Sequence, residues 1–318
     1  MEVRKVNGFF IIFVIGYIGL SVVCASIMAY AQNSGIAVPD WIQYVMSEGI
    51  ILLIASIYMF VQKMDPIREI PYKRIGIVDV ILSLVAGYCL IPAVLLISNL
   101  SMLFSTNYLE EGTTTLLTYP FAMQVILLAV IPPLVEELIF RGIFFGSYRK
   151  AGMTGAALMS GLLFGCFHLN INQALYAFVI GIVFAYMVEA TGSLWSSVIA
   201  HFAVNTYSIG IVQILKMAGM YAQDGSVSET FENAESVAGQ STAITVVQIA
   251  MIAVIAAVFM MLAVLCIRTM AKRHGNLEKM KIQNVKLSHI KNYFTAPVIV
   301  GIVVCVMYMI MLEFSGTL

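Results

Sequence analysis

The chain has 318 residues, of which 61% are hydrophobic and only 11% are charged, and its mean hydropathy is +0.95. Soluble globular domains carry about 25% charged residues, so this composition excludes an ordinary soluble domain. The formal net charge is zero, and no basic cluster suggests binding to nucleic acid. We therefore expect lipid to be the main solvent, membrane lipids to be partners and nucleic acid not to be one.

Long apolar runs follow one another along the chain, and each is about long enough to cross the ~30 Å hydrocarbon layer as a helix. This pattern predicts an all-α fold: a polytopic integral membrane helix bundle with about eight to nine transmembrane helices. We expect residues 1–318 to form a single integral membrane domain. The runs cover residues 8–31, 40–61, 77–104, 117–135, 153–168, 173–190, 193–216, 242–267 and 296–314.

The distribution of Lys and Arg predicts the orientation of these spans, because cytoplasmic loops are enriched in both. With the N-terminus inside, every Lys and Arg except Lys216 falls on the inner side, and the outer connections are acidic. The sequence thus predicts a cytoplasmic N-terminus, a multi-pass protein of the cell membrane and a site that opens toward the cytoplasm. The first apolar run follows Arg4 and Lys5 like a signal peptide, but its length favours a retained anchor.

Cysteine spacing gives no indication of metal binding or disulfides, because the sequence has no CxxC pattern. The cysteines are expected to act as small hydrophobic residues. They are Cys24, Cys89, Cys166, Cys266 and Cys305.

Ionisable side chains within spans cost roughly 2.5 to 3.5 kcal/mol each, so they indicate a partner or a function. Three short motifs place such residues on three predicted spans. They are Glu136-Glu137-x-x-x-Arg141, Phe164-x-x-x-His168 and His201-x-x-x-Asn205.

Residue counts allow the motifs to meet. If the fourth helix continues past its two prolines and turns near Gly152, Glu136 and His168 lie at the same depth, roughly 20 Å from that turn. His201 enters from the same side and reaches only about 12 Å by this count. The third motif therefore matches the depth of the other two only approximately.

The spacing also suggests separate roles for the two glutamates. Glu137 and Arg141 are at i and i+4, so Arg141 can neutralise Glu137 and leave Glu136 as a general base. Water activated by Glu136 and His168 would attack a peptide carbonyl. His201 and Asn205 carry the types of donor that stabilise the resulting oxyanion.

The three motifs, in this order, resemble the CPBP family of CAAX prenyl protease type II and bacterial Abi proteins. The resemblance covers about residues 117–216, which it identifies as a catalytic core. It implies an all-helical intramembrane glutamic endopeptidase acting on a membrane-associated peptide or protein. In that reading Glu136 and His168 activate water, His201 and Asn205 form the oxyanion hole, and Glu137 and Arg141 support the site.

The family includes prenyl-protein processing, peptide maturation and bacteriocin self-immunity, and bacterial peptide processing or self-immunity is the preferred role. No cofactor is expected, but a zinc protease using Glu136, His168 and His201 is an alternative. A non-catalytic immunity scaffold and a proton-coupled transporter are further alternatives. The oligomeric state is not predicted, and Glu48, within the second span, receives no role.

Overall fold

Helices joined by short non-helical segments make up the residues that the computed structural model describes, which are 3–106, 119–218, 242–282 and 291–315. No strand occurs within these ranges. The predicted all-α polytopic bundle is confirmed. The helices are α1 (Val3–Asn33), α2 (Trp41–Val61), α3 (Pro66–Glu69), α4 (Ile77–Ser101), α5 (Phe121–Ala151), α6 (Met153–Phe167), α7 (Ile171–Thr191), α8 (Leu194–Met217), α9 (Thr242–Arg273) and α10 (Ala296–Ser315).

Eight of the helices in the described part of the chain are long and apolar enough to cross a membrane. Helix α6 is apolar but shorter, and at 1.5 Å per residue it extends for only about 22 Å. The outward side chains of α1, α2, α9 and α10 are large and apolar, as the lipid-facing surface of a membrane protein requires. Examples are Ile12, Phe60, Val254 and Met307.

Helix α5 continues well beyond its apolar run, as the depth argument required. It passes Pro132 and Pro133, contains π-helical stretches at Val125–Val130 and Leu138–Phe145, and ends at Ala151. Gly152 then turns the chain with φ of +134°, a conformation that side chains rarely adopt. Helices α5 and α6 thus form the predicted antiparallel hairpin, and α6 packs back against α5.

Close packing around α6 and α8 depends on glycines. A Cβ added to Gly165 on α6 would lie 2.5 Å from the Ala174 carbonyl oxygen of α7. A Cβ added to Gly87 on α4 would lie 2.4 Å from the Ala200 carbonyl oxygen of α8. Small residues let membrane helices approach closely, so these contacts hold α6 and α8 against their neighbours.

Helix α1 is packed on α5 through aromatic rings. Phe9 stacks on Phe144 with centroids 5.4 Å apart, and Phe13 stacks on Phe167 of α6 at 4.6 Å. The Asn7 amide of α1 donates to the carbonyls of Asn292 and Tyr293 and to the Thr295 hydroxyl, just before α10. Both terminal spans are therefore attached to the α5–α6 hairpin.

The cysteines in the described residues are all free, as expected from their spacing. Cys89, Cys166 and Cys305 are buried among apolar side chains. They fill space between helices, as small hydrophobic residues do.

Candidate active site

The centre of the candidate site is Glu137, whose side chain is completely buried in the middle of α5. Its Oε1 accepts a hydrogen bond of 2.8 Å from Arg141 Nη1 and one of 3.1 Å from His201 Nδ1. The first contact is the ion pair predicted from the i, i+4 spacing, which is confirmed. Because one oxygen serves both partners, Glu137 joins α5 and α8.

Glu136 is the more accessible of the two carboxylates, with 14% of its side chain exposed. Its Oε2 lies 3.7 Å from His201 Nε2, which is too long for a hydrogen bond but close enough for charges to interact. No described residue donates a hydrogen bond to Glu136. Its oxygens can therefore accept a proton from a small molecule such as water.

His201 lies between the two carboxylates. Counting residues along the sequence predicted that His201 lies nearer the inner surface than Glu136. In the structure its two ring nitrogens face Glu136 and Glu137 directly. Helix α8 is thus shifted relative to α5 from the depth that counting gives. Because a carboxylate only accepts hydrogen bonds, Nδ1 donates to Glu137 and Nε2 is the nitrogen that faces Glu136.

His168 occupies the C-terminal end of α6, immediately before a bend at Leu169 with φ of +54°. Its Nδ1 lies 2.7 Å from the Phe164 carbonyl oxygen, one turn earlier. A carbonyl only accepts, so Nδ1 carries the proton and Nε2 has the free lone pair in the neutral ring. His168 is also close enough to His201 for the two rings to interact electrostatically.

Phe164 explains why the second motif begins with an aromatic residue. Its ring meets His168 edge-on at 4.6 Å and His201 at 5.8 Å. The guanidinium carbon of Arg141 lies 4.3 Å from the centre of the same ring and 5.2 Å from that of Phe184 on α7. Two aromatic faces thus stabilise a cation that has no access to water.

Asn205 lies one turn beyond His201 and donates a hydrogen bond of 2.9 Å from Nδ2 to the Leu128 carbonyl oxygen. In an α-helix this carbonyl would pair with the N–H of residue 132, and in a π-helix with that of residue 133. Both positions are prolines, which have no N–H. Asn205 therefore caps a carbonyl that the Pro132-Pro133 pair leaves open, and its second amide hydrogen is still available.

Glu48 is the residue whose connection to the site was missed from the sequence. It lies on α2, where its Oε2 is buried and has no hydrogen-bond partner among the described residues. Its charge is close enough to Glu136 for the two to repel each other. The neighbouring Ser47 hydroxyl is 2.9 Å from that of Tyr17 on α1. An acidic residue within a predicted span was the signal that the sequence offered. The sequence did not show that Glu48 lies near Glu136, because the two are far apart along the chain.

The donor set fits a metal centre poorly. Among the residues that the structure describes, no group of three or more His, Cys, Asp or Glu is arranged to hold a metal ion. The zinc alternative named Glu136, His168 and His201, and these side chains do not form such a group.

The segment that contains the candidate site is similar to known proteins. Residues 118–207 match the family described as Rce1-like, type II CAAX prenyl endopeptidase Rce1-like. A Bacillus subtilis (strain 168) protein named "Putative membrane peptidase YdiL" is 32% identical over 88 residues, covering 27% of this chain and 36% of that protein. This chain thus spans about a third of the length of that relative. No solved structure is significantly similar. The family resemblance of the motifs is confirmed for this segment.

Proposed function

Because residues 118–207 match the Rce1-like family of type II CAAX prenyl endopeptidases, we propose that this membrane protein is an intramembrane endopeptidase. It hydrolyses a peptide bond of a membrane-associated peptide or protein. The observation that carries the proposal is the contact of His201 with both Glu136 and Glu137 in the interior of the bundle. Buried acids and imidazoles are costly in a membrane, and this cost indicates a function.

Glu136 is the general base in this proposal. It takes a proton from water, and the oxygen of that water forms a bond to the carbonyl carbon of the substrate. The free Nε2 of His168 accepts a hydrogen bond from the second O–H of the same water and orients it. When the tetrahedral intermediate collapses, the carbon–nitrogen bond breaks and the proton held by Glu136 passes to the leaving amine. Glu136 is then ready for another cycle.

Two donors are proposed to stabilise the negative charge on the carbonyl oxygen. The first is the Asn205 amide hydrogen that is not used by the Leu128 carbonyl. The second is an N–H at Nε2 of His201, whose ring is oriented by the hydrogen bond from Nδ1 to Glu137. Donors that are already fixed in position reorganise little during the reaction, so their stabilisation of the transition state is large.

Glu137 and Arg141 act as positioning residues. Arg141 is held by Phe164 and Phe184 and keeps Glu137 oriented toward His201. The same aromatic rings flank the imidazoles and exclude bulk water. Interactions between charges are stronger in such an environment than in water.

A bacterial role in peptide processing or bacteriocin self-immunity is the preferred context, with the site opening toward the cytoplasmic face of the cell membrane. The substrate enters from the bilayer, because the site lies among the spans. Lipids and the peptide substrate are the proposed partners. No nucleic-acid partner is proposed.

The test compares cells that express the wild type, Glu136→Gln or Glu278→Gln. Glu278 is an exposed carboxylate outside the spans and provides the matched control, with 81% of its side chain exposed. Quantitative membrane proteomics and peptidomics should reveal cleavage products that are present in the wild type and the control. Removing a general base lowers rates by about 10²- to 10⁴-fold, so these products should disappear in Glu136→Gln.

Identical product profiles in all three strains would contradict proteolysis. If a self-immunity phenotype also persisted with Glu136→Gln, the chain would act as a scaffold. With a purified substrate, a strong chelator tests the zinc alternative. Activity that survives chelation agrees with the metal-free mechanism, and activity that is lost and then restored by zinc would replace it.

A further inference from the structure

Glu48 is an acidic residue of α2 to which the proposed hydrolysis gives no role. It lies on the same face of the helix as Ile51 and Ala55, and both of these side chains are buried in the bundle. Helix α2 packs against the Ile131–Glu137 part of α5, which contains Glu136. Because the Oε2 atom of Glu48 is also buried, this acid faces the interior of the bundle beside the candidate site.

The surroundings of Glu48 do not stabilise a negative charge. Its Oε2 has no hydrogen-bond partner among the described residues, and no described cation forms an ion pair with this carboxyl group. Glu136 and Tyr17 on α1 interact with it electrostatically. The Tyr17 hydroxyl in turn lies 2.9 Å from that of Ser47. A charge on Glu48 would therefore have no counterion and would repel Glu136.

Glu136 differs from Glu48 in this respect. Its Oε2 lies 3.7 Å from His201 Nε2, close enough for the ring to stabilise a negative charge. The neighbouring Glu137 forms an ion pair with Arg141 and so adds little net charge. Two carboxyl groups that interact in an interior of low dielectric share one proton, because a charge on both is costly. The proton then belongs on Glu48 and the negative charge on Glu136.

We propose that Glu48 is a positioning residue of the hydrolytic site, which holds a proton and, as a neutral carboxylic acid, stabilises the carboxylate of Glu136. This role rests on the proposed hydrolysis, in which Glu136 is the general base. A neutral acid offers an O–H donor beside Glu136, whereas an ionised Glu48 would repel the charge that accepts the proton of water. The proton on Glu48 is not consumed, because Glu136 takes its proton from water and returns it to the leaving amine.

Two substitutions of Glu48 separate positioning from packing. Glu48→Gln keeps the shape of a neutral carboxyl group and its ability to donate, while Glu48→Met has a similar length but no donor. We expect Glu48→Met to lower kcat by about 10- to 100-fold, because the base is no longer held in place. KM should stay the same, because Glu48 acts through Glu136 and does not touch the substrate. Glu48→Gln should restore most of the turnover that Glu48→Met loses.

Stability provides a second readout for these variants. Methionine replaces a buried polar atom that has no partner among the described residues, so Glu48→Met should unfold no more readily than the wild type. A loss of kcat in a variant that is at least as stable is not caused by damaged packing. The assay uses full-length protein in nanodiscs and a substrate identified by peptidomics. Glu278→Gln changes an exposed acid outside the spans and is the matched control, with unchanged kcat.

Infrared spectroscopy tests the proton on Glu48 without any substrate. The C=O stretch of a protonated carboxylic acid is well separated from that of a carboxylate, so a spectrum at neutral pH distinguishes the two forms. The difference between the wild type and Glu48→Gln should contain the band of a protonated acid. The difference between the wild type and Glu278→Gln should lack it, because exposed carboxylates are ionised at this pH.

The two assays distinguish failure of this inference from failure of the proposed function. A wild type that cleaves no peptide, or a Glu136→Gln variant that cleaves as fast as the wild type, would contradict the hydrolysis itself. With hydrolysis intact, the role of Glu48 is overturned if the band of the protonated acid is absent or if Glu48→Met keeps the wild-type kcat. It is also overturned if Glu48→Gln loses as much activity as Glu48→Met, because Glu48 would then act as a charged group.

Discussion

Gly87 provides a sharp test of how packing supports the site, because it allows α4 to approach α8 next to His201. In Gly87→Ala the new Cβ would lie 2.4 Å from the Ala200 carbonyl oxygen and 2.8 Å from the Ala203 Cβ. Ordinary contacts begin at 3.4 Å, so α8 must move away from α4 by about 1 Å. The neighbour is backbone and cannot rotate away, so the helix itself has to shift.

The shift has two consequences of predictable size. Overpacking of this kind costs about 1–3 kcal/mol of the free energy of unfolding. If α8 also moves by about 1 Å relative to α5, the 3.1 Å contact between His201 Nδ1 and Glu137 Oε1 lengthens beyond hydrogen-bonding distance. A misplacement of that size can reduce turnover by about 10²-fold.

Gly210→Ala is the matched control, because it lies on α8, the helix that Gly87→Ala displaces, and an added Cβ there meets nothing within 4 Å. Unfolding in detergent measures stability, and initial cleavage rates of a substrate identified by peptidomics measure turnover. Gly210→Ala should match or slightly exceed wild-type stability because alanine favours helix. Wild-type stability in Gly87→Ala would refute the packing argument. Loss of stability with an unchanged rate would refute transmission of the shift to His201.

Three further changes test individual contacts. Asn205→Ala leaves the Leu128 carbonyl without its hydrogen bond and should lower the free energy of unfolding by about 1 kcal/mol. The cleavage rate should fall by about 10²- to 10³-fold, because an oxyanion donor is lost. Full activity would exclude Asn205 as that donor. Glu137→Gln leaves Arg141 as an uncompensated buried charge and should cost about 3–5 kcal/mol in denaturant unfolding. A loss below about 1 kcal/mol would show that water already reaches this pair. Asn7→Leu removes several hydrogen bonds that stabilise the fold by about 0.5–1.5 kcal/mol each. The weaker attachment of α1 should be seen as faster limited proteolysis near the N-terminus.

Local periodicity was sufficient to predict the architecture and the Glu137–Arg141 pair. Apolar runs of sufficient length become spans because lipid forces the backbone to satisfy its own hydrogen bonds. Residues at i and i+4 share a helix face in any helix, so the ion pair followed from spacing alone. The turn at Gly152 was also evident, because basic residues and a glycine interrupt two apolar runs there.

Contacts between distant parts of the chain could not be read in this way. The connection of Asn205 to Leu128 depends on two prolines in α5 and on the position of α8 beside them. The proximity of Glu48 to Glu136 depends on how α2 packs against the other spans. Its apolar side chains fit several packing arrangements about equally well, so the sequence does not specify one. The depth of His201 was misjudged because residue counts assume helices that start at one level. Side-chain roles in catalysis remain predictions for the experiments above.

The hydrogen bonds of Asn7 have a consequence for biosynthesis. The partners of the Asn7 amide, Asn292, Tyr293 and Thr295, are synthesised 285 to 288 residues after it. The Tyr148 hydroxyl donates to the side-chain oxygen Oδ1 of Asn7 at 2.6 Å and completes this junction. Until residue 295 has been synthesised, the Asn7 amide hydrogens in α1 lack these partners. Attachment of α1 to the segment before α10 therefore has to follow the synthesis of most of the bundle.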